Sequence, residues 1–315
     1  MSESIEHLGL RDGARVQTLQ VVVREETPFL PKVAFVLISL ASLGGAVFTG
    51  LGLGVAPAGL GLRWLTLWSI ALAGGFLLWR LVYLRSREPG VDQAPLEALN
   101  HTALARADRV ARVVAVSVFA GAAGAFVVPH LEGAPLQRGL LVAGSLALAA
   151  LLALGVQGRG ATTAAVTVVA LLLLGWSATD AGTGWPLLLR VLHLSAFTLW
   201  LGGALWNIAV AMPAGRQHAN VPAVLAGAKQ LDRFRWVVRF ALPTIIITGL
   251  VMAGGFRSLG LDWWTSFPGV LIPLKVLAIV ALVVVFITCP LFRHCSPVQG
   301  VCNVEDLDHP DRAAP

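Results

Sequence analysis

Residues 186–211 read PLLLRVLHLSAFTLWLGGALWNIAVA, a run of 26 residues whose only ionisable side chains are Arg190 and His193. A helix rises 1.5 Å per residue, and a bilayer core takes about 20 predominantly apolar residues, so this run predicts a membrane-spanning helix. The rest of the chain reads the same way. Its 315 residues are 57% hydrophobic and 13% charged, with a mean hydropathy of +0.78. A soluble domain carries about 25% charge. The 33 Gly and 17 Pro are spread through the apolar runs, as transmembrane helices tolerate, which excludes a disordered or collagen-like chain.

Eight stretches approach the length of a span: Val33 to Gly54, Leu65 to Leu84, Val110 to His130, Gly139 to Val156, Ala161 to Ser177, Pro186 to Ala211, Trp236 to Gly255 and Val270 to Phe292. The expected fold is an all-α integral membrane protein of about eight transmembrane helices. About thirty polar residues precede the first run, whereas a signal peptide begins its apolar core much earlier, so the first span is expected to be retained. With eight spans, 18 of the 23 Lys and Arg fall on one face, leaving Arg63, Arg138, Arg190, Arg257 and Lys275 on the other. The positive-inside rule then places both termini in the cytoplasm of a cell with a bacterial-type inner membrane. It also accounts for the net charge of +6 without nucleic acid as a partner. The partner that this composition requires is the lipid bilayer.

The second and sixth spans repeat each other. Leu62, Arg63, Leu65, Leu67, Leu72, Gly75, Leu78 and Trp79 match Leu189, Arg190, Leu192, Leu194, Leu199, Gly202, Leu205 and Trp206 at a constant offset. Asp108, Arg109, Val113 and Val114 similarly match Asp232, Arg233, Val237 and Val238. This predicts two parallel four-helix halves, 33–156 and 157–292, between an N-terminal tail (1–32) and a C-terminal tail (293–315), both cytoplasmic. Where Thr66 stands in the first copy, His193 stands in the second.

Arg190, His193, Phe197, Trp200, Ala204 and Asn207 follow steps of three and four, which puts them on one helix face. Ionisable groups are costly in hydrocarbon and usually face a partner, cofactor or substrate. Lys275 is expected at similar depth in the last span, and His130 with Glu132 closes the third span on the same side. Asp180 and the group Asp262, Trp263, Trp264 are expected in loops there. These residues could hold a metal, a haem, a quinone or only an ion-pair network. A b-type haem would use His193 with His130 as axial ligands. A quinone would use Arg190, His193 and Lys275, with Trp200 on the same stripe. Cys289, His294, Cys295 and Cys302 lie within fourteen residues and form a second candidate metal set, although no Cys-x-x-Cys occurs. The inner segment from Arg85 to Arg109 is polar and contains Pro, and reads as a connecting loop. There is no Walker loop, Gly-x-Ser-x-Gly or His-Glu-x-x-His, so neither a hydrolase nor a primary pump is expected.

The run Leu192 to Gly203 (LHLSAFTLWLGG) resembles the His-Leu to Trp-x-Gly-Gly signature of the bacterial copper resistance protein D (CopD) family. Phe234 to Thr248 with Gly249 resembles that family's Arg-Phe to Thr-Gly span, and Pro273, Leu274, Lys275 its final-span lysine. The resemblance covers about Trp185 to Phe292. It implies copper binding or transport, with copper at the outer-leaflet polar site and a periplasmic copper protein as partner. The alternatives are a haem b or quinone-reactive subunit working with redox partners, and a cofactor-free scaffold subunit. The chain departs from the family pattern at Gly175, Trp176, Ser177, where Gly-His-Ala is expected, and has only three Met.

Overall fold

The computed structural model describes residues 29–218, 220–254 and 260–288. The described residues form α-helices, short 3-10 turns and connecting loops, with no strand. The helices are α1 (Phe29–Gly52), α2 (Pro57–Tyr83), α3 (Gln93–Gly121), α4 (Pro135–Leu154), α5 (Arg159–Ala181), α6 (Trp185–Trp206), α7 (Met212–Gln217), α8 (Val221–Ala253), α9 (Leu261–Thr265) and α10 (Leu271–Thr288). Seven of them are long and apolar enough to cross a membrane, and α10 is a further apolar helix. The chain is an all-α, multi-pass membrane protein. Helices are the only open way to satisfy every backbone N–H and C=O inside hydrocarbon. Pro57, Pro135, Pro186 and Pro222 stand in first turns, where no N–H is needed.

Two helices begin well before their apolar runs. The segment expected to be a connecting loop becomes helical at Gln93, because Pro95 falls in the first turn, where no N–H is needed, and Leu96, Leu99, Ala103 and Ala107 bury one face of the helix. Likewise α8 starts at Val221, not Trp236. The third span closes earlier than expected. Helix α3 ends at Gly121, and His130 stands in a separate 3-10 turn, Pro129–Leu131.

Helices α2 and α6 form the centre, and the others surround them. Large apolar side chains on the outer helices, including Val113 and Phe119 on α3, Leu140 on α4, Leu171 on α5 and Ile247 on α8, face outward to lipid. The two central helices run in the same direction and cross at Gly75 and Gly202, backbone against backbone. These are equivalent positions of the sequence repeat. The equivalent Arg63 and Arg190 also meet, on one carboxylate, and the equivalent Trp79 and Trp206 flank Tyr83. Equivalent residues meeting across one contact is what a two-fold relation between parallel helices produces.

The copies diverge in detail. Trp79 Nε1 donates to the Leu199 carbonyl at 2.8 Å, whereas the buried Trp206 Nε1 has no hydrogen-bond partner among the described residues. At the Arg80 face, Arg80 donates to the Val156 and Gln157 carbonyls while Asp108 accepts from the Val156 N–H and the Gln157 amide, which clamps the turn between α4 and α5. Asp232, the equivalent of Asp108, is exposed, and its neighbour Arg233 pairs with Glu88 across the halves. After Trp206 the helix widens into a π-turn, Asn207–Ala211. Pro213 lacks the N–H that would bond the Ala209 carbonyl, and Arg106 from α3 donates to that oxygen at 3.4 Å.

Candidate ligand site at the Arg63 face

Asp180 organises this end of the bundle. It was expected in a loop, but α5 continues to Ala181, so the carboxylate lies in its last turn and only 1% of the side chain is exposed. Gly182 and Gly184, at φ +69° and +73°, then make the short turn into α6. This brings Arg190 back over the carboxylate. Oδ1 accepts from Arg63 Nη2, and Oδ2 accepts from Arg190 Nε at 3.0 Å and from its Nη2. Arg63 is wholly buried and Arg190 is 12% exposed at the side chain. Arg63 keeps two nitrogens, Nε and Nη1, without a hydrogen-bond partner among the described residues.

His193 lies three residues further along α6, about 12 Å below Trp185 at 1.5 Å per residue. It is buried, and its Nδ1 stands 2.9 Å from Thr248 Oγ1 of α8. The Thr248 hydroxyl donates to the Thr244 carbonyl at 2.5 Å, so toward the imidazole it acts as acceptor. That assigns the proton to Nδ1 and leaves Nε2 as the nitrogen with the lone pair. Gly249 lies beside the ring, where a Cβ would stand 3.5 Å from Cε1, in ordinary contact. The first half is tighter. Thr66, the equivalent residue, donates to the Gly121 carbonyl at 2.6 Å, and Gly121 and Gly124 press against it.

Lys275 of α10 lies over Gly45 of α1, where a Cβ would stand 2.8 Å from Nζ. Lys275 and Arg190 are both within electrostatic range of the His193 ring. Lys275 has no ion pair among the described residues, and the other carboxylates at this end, Glu132 and Asp262, are exposed. The layer thus holds three cations, Arg63, Arg190 and Lys275, against the one carboxylate of Asp180. With His193 neutral its formal charge is three minus one, or +2.

The expected residues are therefore brought together in part. Arg190, His193 and Lys275 converge. Trp200 lies on the same helix, buried in the core. His130 is exposed in its 3-10 turn, which packs on α4 and not beside His193. Cys289, His294, Cys295 and Cys302 lie outside the described residues. Trp176 occupies the position where the resemblance implies a second imidazole; it is buried with Nε1 unpaired, and an indole offers only a donor. Among the described residues no three His, Cys, Asp or Glu gather as a metal-binding group. Arg63 and Thr248 had not been singled out as site residues, and Asp180 had been expected there only as a loop residue. The repeat held one signal: a residue equivalent to Arg190 needs a counter-charge too. No protein-family model, curated protein or solved structure matches the chain.

Proposed function

We propose that this multi-pass membrane protein binds copper as a cargo at the Arg63 face, with His193 Nε2 as donor. The observation that carries the reading is the 2.9 Å contact between His193 Nδ1 and a Thr248 hydroxyl that itself donates to Thr244. A metal-binding imidazole almost always donates its other N–H to a fixed acceptor, and Thr248 plays that part here. The resemblance of Leu192 to Gly203 to the CopD signature supports it, and so does the suitability of imidazole for copper. The excess of arginine in the loops at the Arg80 face supports a cytoplasmic position for that face in an inner membrane, which would put His193 on the side facing a periplasmic copper protein. Anaerobic titration of the purified protein with Cu(I) against a competing chelator tests the reading. About one copper per chain is expected, lost in His193→Ala and weakened about 10- to 100-fold in Thr248→Val. Equal copper in wild type and His193→Ala refutes it.

The second reading is a quinone-reactive subunit, favoured by Arg190 and Lys275 beside the imidazole. Those cations would donate to a ring oxygen while Nε2 accepts a quinol hydroxyl. Quinone in an organic extract of the purified protein, absent from His193→Ala, would favour it. Haem b is tested on the same sample by its Soret band. His193 is the one described histidine inside a span; the others are His101 and His218 at the Arg80 face and His130 in its turn.

A further inference from the structure

We infer that α3 holds an anionic phospholipid at the Arg80 face, its phosphate on the guanidinium groups of Arg109 and Arg112 and one acyl chain along Val113, Val116 and Phe119. This lipid site is independent of the copper reading. The internal repeat supplies the first observation. Arg109 and Arg233 are equivalent residues at the same end of the bundle. Arg233 is answered by Glu88, whereas Arg109 reaches only the Ala105 carbonyl of its own helix, at 3.5 Å. Asp108, its neighbour in sequence, is buried and engaged by the Val156 N–H and the Gln157 amide. No ion pair among the described residues includes Arg106, Arg109 or Arg112. One copy of the repeat thus has its anion within the chain, and the other offers its cation to the surroundings.

The second observation is the order of residues along the outward side of α3. Arg109, Arg112, Val113, Val116 and Phe119 are all exposed, and their steps of three and four put them on one face. Asp108 fixes the depth of that face. Its bonds hold this turn of α3 level with the turn between α4 and α5, where Arg80 is also bound, and so at the end of the bundle. From Arg112 the exposed apolar side chains run toward the middle of the bundle for seven residues, or about 10 Å at 1.5 Å per residue. Charge at the end of the bundle followed by an apolar strip is the profile of a lipid headgroup and the start of its chain. Guanidinium matches phosphate in geometry as well as charge. Arg106, half-buried beside this face, links it to α6, because its Nε donates to the Ala209 carbonyl of the π-turn and it lies within electrostatic range of Arg109 and of Arg216 on α7. A bound phosphate relieves the repulsion among these cations and so steadies the seam between α3 and the π-turn.

The test is lipid binding to the full chain in neutral detergent, followed by native mass spectrometry. It compares phosphatidylglycerol with phosphatidylcholine of the same acyl chains. At about fivefold per arginine, two arginines should favour phosphatidylglycerol by about 25-fold. Arg109→Gln with Arg112→Gln should abolish that preference. Arg85→Gln with Arg87→Gln removes the same charge from exposed residues between α2 and α3 and should leave the preference intact. Glycerol phosphate at the lipid concentration should not displace the lipid, since it lacks the chains. Equal binding of the two lipids overturns the inference. So does an equal loss of preference in the two double variants, which would mean a diffuse surface charge and no site. Displacement by glycerol phosphate would make it a site for free phosphate esters and overturns the lipid assignment.

Discussion

Replacing Gly75 by Ala tests the crossing of α2 and α6, on which the layer above it depends. A Cβ at residue 75 would stand 2.8 Å from Gly202 Cα and 2.9 Å from Gly202 N, and closer still to the Thr198 carbonyl oxygen. Ordinary contact begins at about 3.4 Å, so the helices must part by at least about 0.6 Å at this point. The neighbours are backbone and cannot swing aside. Overpacking of this kind costs about 1–3 kcal/mol, and the upper half of that range is expected because both sides are rigid. Helix propensity works the other way, by up to about 1 kcal/mol for Gly→Ala. Gly61→Ala in the same helix supplies the control, since nothing lies within 4 Å of its Cβ. Subtracting the two cancels the propensity contribution. Reversible unfolding in mixed micelles, followed by circular dichroism, should place Gly75→Ala about 2–3 kcal/mol below Gly61→Ala. Adding Gly202→Ala to Gly75→Ala should cost less than the sum of the two, because both spoil one contact. If the Gly75 and Gly61 variants agree within about 0.5 kcal/mol, the helices do not touch there and the two-fold reading of the crossing is wrong.

Asp180→Asn should destabilise the same preparation by about 3–5 kcal/mol, since it strips two buried guanidinium groups of their only carboxylate. Thr66→His, which copies His193 into the first half, should cost about 1–3 kcal/mol and add no copper, because Gly121 and Gly124 leave no space beside it. Trp79→Phe removes the bond to the Leu199 carbonyl and should lower stability by about 1 kcal/mol, whereas Trp206→Phe breaks no such bond and should cost less in the same melt.

Hydropathy located the helices but not their polar turns. Gln93 to Arg109 carries Glu97, His101, Arg106, Asp108 and Arg109 among its alanines and leucines, and such a mixed segment reads alike as helix or loop on a hydropathy scale, yet α3 begins there all the same. Asp180 and Arg63 were assigned to loops for a related reason: each is a single charge near the end of an apolar run, and one-dimensional reading ends the run at the charge. Their pairing spans 117 residues and belongs to tertiary packing alone. The repeat was more informative, because Gly75 and Gly202, marked only as a matching pair, are the residues at which the central helices touch. Arg190, His193 and Lys275 were legible from their spacing and depth. Thr248 was not, since a threonine in a span carries no sign that its hydroxyl sets the tautomer of a ring on another helix.

The sharing of Asp180 between the two halves also orders events during synthesis. Helix α2 must enter the bilayer with Arg63 near its N-terminal end, and a charged residue in a spanning helix costs up to about 2.5–3.5 kcal/mol on insertion scales, the figure for the helix centre. Its carboxylate partner is made 117 residues later, so at about 5–20 residues per second the nascent chain carries an unanswered arginine for roughly 6–23 s. During that interval α2 gains by staying beside the insertion machinery or by reaching water at the membrane surface. The bundle can close only when α5 and the tight Gly182–Gly184 turn have delivered the carboxylate and, directly behind it, the second arginine. A nascent chain stopped before residue 180 therefore leaves Arg63 without the carboxylate that it pairs with.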